Sequence, residues 1–243
     1  MFVIAHVSDI HIDGTERATG RTTRVMEYLR GFADRLDVIL ITGDLADHGA
    51  EPEYEVIRQL ATAPVPVLLC PGNHDARPPY RKALLGEEPD GAPINRAHRV
   101  GGVTFLMADS SIPGDDAGLL DDATLAWLDA ELAADEGPAF VCFHHPPVPL
   151  HDPVIDEIRM LGADRLAALV RRHPRVVALL CGHAHTPAAT TFAGLPLLVA
   201  PGVASTIKLP WEPGPRVDVG YPPAIAFHVL EDGRLTTHFR LVA

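Results

Sequence analysis

The sequence predicts an α/β fold in which two mixed sheets pack face to face with helices outside, a four-layer α-β-β-α sandwich. Three observations predict it. The front half alternates short apolar runs with helical stripes, and the part after residue 176 is rich in strands with no long helix between them. Five apolar runs also end abruptly in polar clusters: Asp9-Ile10-His11, Gly43-Asp44-Leu45-Ala46-Asp47, Gly72-Asn73-His74-Asp75, His144-His145-Pro146-Pro147 and Gly182-His183-Ala184-His185. Loops at the carboxyl ends of strands gather at one edge of an α/β sheet, so clusters far apart in sequence can converge.

In chain order, a strand over Phe2 to Ser8 leads to a helix whose stripe is Val25, Tyr28, Leu29 and Phe32. Asp37 to Thr42 is a second buried strand. Pro52 and Glu53 suit the first turn of a helix with Tyr54, Ile57 and Ala61 on one face, and Val65 to Cys70 is the third strand. A short helix begins near Arg77, and a hairpin follows with strands over His98 to Val100 and Val103 to Ala108 around Gly101-Gly102. Asp121 suits the N-cap of a helix bearing Leu125, Leu128 and Leu132, and Asp164 that of a helix which His173-Pro174 stops. Ala139 to Phe143, Val176 to Cys181, Ala189 to Phe192, Leu195 to Ala200, Ala224 to Leu230 and Leu235 to Val242 complete the strands. Two Pro-rich loops, Pro146 to Pro153 and Pro210 to Pro223, are placed to overhang a site.

With 243 residues and 47% hydrophobic content the chain can bury a substantial core, and residues 1–243 are expected to form one domain because linked polar clusters come from both ends. A net charge of −12 argues against a nucleic-acid polymer as partner, since neutralising such a backbone takes clustered Lys and Arg. The chain opens on a strand-like run without a charged leader, and no apolar run is long enough to cross a bilayer. A cytoplasmic protein with no membrane partner is expected. Cys70, Cys142 and Cys181 lack the Cys-x-x-Cys spacing of structural zinc sites and read as small core residues.

The clusters offer Asp, His and Asn, a nitrogen and oxygen donor set suited to Mn, Fe, Co or Zn and too imidazole-rich to favour Mg or Ca. A carboxylate bridging two such ions gives the arrangement that clamps a phosphoryl group and activates water.

The ordered blocks Asp-x-His, Gly-Asp, Gly-Asn-His-Asp, a later His and Gly-His-x-His, spanning Asp9 to His185, resemble the signature of the calcineurin-like metallophosphoesterases. Asn73 to Arg77, Leu120 to Leu128 and His144 to Pro147 further resemble bacterial class III cyclic-nucleotide phosphodiesterases and their glycerophosphodiester-cleaving relatives. The resemblance implies that Asp9, His11 and His185 hold one divalent ion, Asn73, His144 and His183 a second, and Asp44 both. It implies that His74 holds neither ion and lies beside the substrate phosphate, where as imidazolium it would stabilise or protonate the departing oxygen, oriented by Asp47, which stands where purple acid phosphatases carry a metal-binding Tyr. Hydroxide held between the metals would attack a small phosphodiester, foremost a cyclic nucleotide such as 3′,5′-cAMP. Glycerophosphodiesters, 2′,3′-cyclic nucleotides and phosphomonoesters are the alternative substrates, and a metal-binding scaffold without catalysis is a further alternative. Relatives of this kind suggest a homodimer. His145 is open to a supporting or a substrate-contacting role, and Arg77 to phosphate contact or to an exposed place at a helix start.

Overall fold

The apolar runs that carry no obvious alternation in the sequence are strands buried on both faces. In the computed structural model, which describes residues 1–243, Ile4, Val38 and Leu40 point into a core shared with Phe105, Phe140, Cys142, Ala178 and Leu180. Their neighbours Ala5, Val7, Ile39 and Ile41 point the opposite way onto Val25, Met26, Leu29, Tyr54 and Ile57. Val141, Leu179 and Cys181 likewise face Leu125, Leu128, Leu132, Leu166, Leu169 and Val170. This period of two, applied to two sheets, produces three apolar layers between four layers of structure.

The chain runs β1 (Phe2–Val7), α1 (Glu16–Arg30), β2 (Val38–Thr42), α2 (Glu51–Leu60) and β3 (Val67–Cys70). Next come α3 (Arg77–Tyr80), continued by a π-helical turn over Arg81–Leu85, then β4 (Arg96–Val100), β5 (Val103–Met107), β6 (Ser111–Ile112) and β7 (Asp115–Leu119). The rest is α4 (Asp122–Ala133), β8 (Ala139–Cys142), α5 (Pro153–Glu157), β9 (Met160–Leu161), α6 (Ala163–Arg172), β10 (Val176–Cys181), β11 (Ala188–Phe192), β12 (Leu195–Val199), β13 (Thr206–Ile207), β14 (Val217–Asp218), β15 (Ala224–Glu231) and β16 (Arg234–Leu241). The first sheet has the order β16-β15-β1-β2-β3 and the second β11-β12-β10-β8-β5-β4. Strands β1, β2 and β3 are mutually parallel, as are β5, β8, β10 and β12, with antiparallel strands at the margins. The four-layer α-β-β-α arrangement of mixed sheets is therefore the one the sequence predicts.

Some local expectations need correction. Asp164 is not a cap: α6 starts at Ala163 after Gly162, whose φ of +62° suits glycine, and Asp164 sits inside the first turn, where its charge still complements the helix dipole. Asp121 does cap α4, accepting from the Thr124 amide at 2.7 Å. The hairpin β6–β7 and strand β9, which form a small third sheet, go unannounced in the sequence because Asp115-Asp116 breaks any apolar alternation. The first Pro-rich loop ends on Pro153, the first residue of α5; the second contains β14, which pairs with β13 just ahead of that loop, and an ion pair between Arg216 and Asp152 joins the two loops. All three cysteines are buried and unpaired, as expected of core residues.

Candidate metal centre

Parallel strands from both sheets end at a common edge, and each ending delivers a polar side chain. Asp9 follows β1, Asp44 follows β2, Asn73 follows β3, His144 follows β8 and His183 follows β10. The sheets are joined there: the His183 amide donates to both oxygens of Asp9 at 3.2 and 3.1 Å, and His144 Nδ1–H donates to the Thr42 carbonyl at 2.7 Å. Of the eight non-glycine residues with positive φ, five are Asp9, His11, Asp44, His183 and His185. Such conformations cost about 1–3 kcal/mol each and persist where surrounding structure holds them, typically at functional sites.

Six of the seven residues expected as ligands, all but Asn73, fall into close groups. Donor atoms of Asp9, His11, Asp44 and His185 lie within 4.8 Å of one another, as do those of His144, His145 and His183. His11 Nε2 is 3.1 Å from His185 Nε2 and 3.5 Å from Asp44 Oδ2; His144 Nε2 is 3.2 Å from Asp44 Oδ2 and 3.2 Å from His183 Nδ1. Asp44 thus stands between the two groups. The backbone makes this possible: a Cβ on Gly72 would lie 2.2 Å from Asp44 Oδ1, and one on Gly43 would lie 2.3 Å from His144 Nδ1. No side chain larger than hydrogen fits at either place without displacing a donor.

Three imidazoles are aimed by hydrogen bonds on their outer nitrogens. His144 donates to Thr42 O, His11 donates through Nδ1–H to Asp47 Oδ1 at 2.8 Å, and His185 Nδ1 lies 2.8 Å from Ser205 Oγ. Each turns Nε2 inward, the usual way a protein fixes a metal-binding tautomer. His183 is turned the other way, with Nδ1 inward and its buried Nε2 without a partner; Asn73 Oδ1 is also buried and unpartnered. The charged neighbours of Asp9 and Asp44 are imidazoles, and the electrostatics follow from that. Burial alone would lower the His144 pKa, but the Asp44 and Asp9 carboxylates lift it to about 9. Burial and the neighbouring His144 drop His183 to about 3. Burial would raise the Asp44 carboxyl, yet His144 and His11 hold it well below the ordinary range. The residues fit divalent ions by this test: nitrogen and oxygen donors at short mutual distances, an orphaned amide oxygen, and carboxylates whose charge is unmet by Lys or Arg.

Asp47 and His74 are neighbours, and the contact between them is made through the main chain. The Asp47 carboxylate bonds His11 and lies 3.7 Å from His74 Nδ1, whereas His74 Nδ1–H donates to the Asp47 backbone carbonyl at 2.8 Å. Asp47 therefore orients His74 through its main chain, while its side chain holds His11. The His74 amide also donates to Asp44 Oδ1 at 3.0 Å, and its half-exposed ring leaves Nε2 free.

His145 is fully buried, its Nδ1 2.8 Å from Ser110 Oγ and its ring 4.7 Å from His183, so a molecule arriving from solvent does not meet it in this conformation. Arg77 is not the exposed helix-start residue considered above: its side chain is 12% accessible and three of its N–H groups are bonded within the protein.

Several supporting residues escaped the sequence reading. Asp75, inside the most conspicuous cluster, accepts from the amides of Leu45, Ala46 and Gly72 and from the Tyr54 hydroxyl, locking the Asp44 loop to the Asn73 loop. Thr42, the last residue of β2, and Ser205, just before β13, carry no signal in the sequence beyond Thr42's place at a strand end.

An edge of Asp, His and Asn side chains on two packed mixed sheets is the framework of a metal-dependent phosphoesterase. The calcineurin-like phosphoesterase family matches residues 2–187, and the chain belongs to that family. It is 32% identical over 93% of its length to glycerophosphodiester phosphodiesterase GpdQ of Enterobacter lignolyticus, of which 86% is covered. It is 35% identical over 86% of its length to a cAMP/cGMP dual specificity phosphodiesterase of Mycobacterium tuberculosis, 69% of which is covered. Among solved structures, a dimetal phosphatase from Danio rerio shares the fold with a TM-score of 0.75 at 14% identity, over 100% of this chain and 96% of that one.

Proposed function

We propose that this chain hydrolyses a small phosphodiester with two divalent ions per chain, and that the substrate is a 3′,5′-cyclic nucleotide. The observation that carries the reading is the strand-end edge that brings Asp9, His11, Asp44 and His185 together and sets His144 and His183 beside Asp44, with Asn73 and His74 after β3; in this reading Asp9, His11, Asp44, Asn73, His144, His183 and His185 are the metal donors. His74 keeps a free Nε2 and opens on a cavity. Relatives named as cyclic-nucleotide phosphodiesterases, with the dual-specificity enzyme at 35% identity, support the substrate class. The glycerophosphodiesterase relative, covered over 86% of its length, supports the second reading, a glycerophosphodiester.

Bound at the edge, Mn, Fe, Co or Zn ions would supply Lewis-acid activation of water and charge neutralisation at the phosphoryl oxygens. The chain's own groups do the rest. Asp44 holds the two halves of the centre in register, Asp47 fixes the His11 tautomer, and Asn73 offers its amide oxygen. His74, as imidazolium, gives the Nε2 proton to the departing oxygen while its Nδ1–H stays on the Asp47 carbonyl. Residues 1–243 act as one domain in this reading because both sheets build the centre. A homodimer in the cytoplasm completes the proposal; no helix is long and apolar enough to cross a membrane.

Metal content and specificity constants test it together. Purified protein should bind two ions, Asp44→Asn should lose more metal than Asn73→Ala, and cyclic nucleotides should exceed glycerophosphodiesters and monoesters in kcat/KM. A glycerophosphodiester preferred tenfold would replace the substrate class, and an Asp44→Asn protein with full metal and normal turnover would refute the centre.

A further inference from the structure

Beside Asn73 and His74 opens a cavity of about 390 Å³, within the range of about 300–1,000 Å³ usual for small-molecule sites. Its walls include Arg77, Pro78, Gly91, Ser111, Ile112 and Pro113. Arg77 builds this cavity. Its Nε donates to the buried Asp109 carboxylate at 2.8 Å, Nη1 to the Gly91 carbonyl at 3.0 Å and Nη2 to the Ser111 carbonyl at 2.8 Å, so one planar cation ties together the segments that form the walls. Asp109 is anchored in turn, accepting from the Ser111 amide and hydroxyl at 2.9 and 2.6 Å and from the Ile94 amide at 2.9 Å. With each guanidinium nitrogen committed in the plane, the orientation of that plane is fixed. A fixed guanidinium bordered by Pro78, Ile112 and Pro113 is a surface for a flat aromatic ring.

The position of the cavity says which part of a substrate reaches it. In-line displacement sets the departing oxygen on the far side of phosphorus from the entering one. His74, the proton donor for that oxygen, lines the cavity. We propose that the cavity receives the base of a nucleoside whose ribose carries the departing oxygen, stacked on the Arg77 guanidinium, and that Ile112 and Pro113 set the preference for base-bearing diesters. This deepens the phosphodiesterase reading above and rests on it.

The test compares 3′,5′-cAMP with methyl riboside 3′,5′-cyclic phosphate, which has the same ester and leaving oxygen but no base. Wild-type protein should favour cAMP at least tenfold in kcat/KM, the scale of one stacked cationic contact, and mainly through KM. Ile112→Trp, which fills the cavity, should bring that ratio close to one, whereas Ile112→Ala, which removes one wall but leaves the Arg77 guanidinium in place, should lower it only in part. Calorimetric titration with adenosine gives a readout independent of turnover: binding should weaken at least tenfold in Ile112→Trp protein whose thermal melt remains cooperative. Equal use of both diesters by wild type, or an unchanged ratio in both variants, overturns the cavity assignment, as does absence of adenosine binding. If wild type turns over neither diester yet binds adenosine in an Ile112-dependent way, the phosphodiesterase reading fails while the cavity assignment is supported.

Discussion

His74 and Asp47 are neighbours in space with separable duties, because one bond runs through a carbonyl and the other through a carboxylate. Asp47→Asn leaves the main-chain bond to His74 in place but weakens the hold on His11. Metal affinity should fall about 10–100-fold, with kcat restored at saturating metal. His74→Ala should keep its ions yet lose about 10²–10⁴-fold in turnover, more on a substrate releasing a basic alkoxide than on one releasing nitrophenolate. Metal titrations monitored by turnover of both substrates check the pair. An Asp47→Asn defect that metal cannot rescue would mean that the carboxylate acts through His74 after all. These two roles are beyond the reach of sequence, which brings Asp47 and His74 into a motif but does not say which oxygen of Asp47 meets which ring.

At the scale of elements, the strand-end loops are held at separations that tolerate no added atom, while the helices have slack. Gly72→Ala sets a methyl 2.4 Å from the Asp44 amide nitrogen, backbone that cannot swing aside. It should destabilise by about 1–3 kcal/mol and lower metal content. Gly20, inside α1, has open space around its Cβ position. Gly20→Ala should stabilise by about 0.5–1 kcal/mol with metal content unchanged, because alanine restricts the unfolded chain and suits a helix. Urea denaturation and metal analysis of both variants give the comparison; equal effects would remove the claim that close approach at Gly72 is what the centre requires. The same contrast explains what was legible. Long apolar elements such as β2, β10 and α4 announce themselves, because period and capping are local properties. The two-residue strands β6 and β13 do not, since their pairing partners, rather than their composition, make them strands.

Across the whole molecule, a buried polar chain crosses the first sheet toward the centre. Thr237 Oγ1 is 2.8 Å from His228 Nδ1, His228 Nε2 is 3.1 Å from His6 Nδ1, and His6 Nε2 is 2.9 Å from Thr42 Oγ1, the residue whose carbonyl aims His144. Burial holds both rings neutral: it lowers His6 well below its ordinary value, aided by His228, and takes His228 to about 3. An unfolded His takes up a proton near pH 6.5 and the folded His228 does not, so stability is full above that value and is lost as pH falls toward 3. Between pH 7 and pH 5 the cost is about 2 kcal/mol for this one residue. Unfolding free energies at the two pH values should therefore differ by about 2 kcal/mol less in His228→Gln than in wild type. The metal centre contributes to both proteins alike, so the double difference isolates His228. An equal drop in both would mean that the ring is already protonated in the folded chain.

By itself the sequence determined the α/β class, the alternation that buries strands on two faces, and the ordered blocks from Asp9 to His185 that carry the family resemblance. Each of these is written in residue type and short-range spacing. Only the tertiary structure decided that Asp47 grips His11 by its carboxylate and His74 by its carbonyl, that His145 is sealed from solvent, and that Arg77 frames a cavity. Those facts depend on which atoms of distant segments meet and on what else surrounds them. A side chain's identity limits the bonds it can make; the packing of two sheets selects among them.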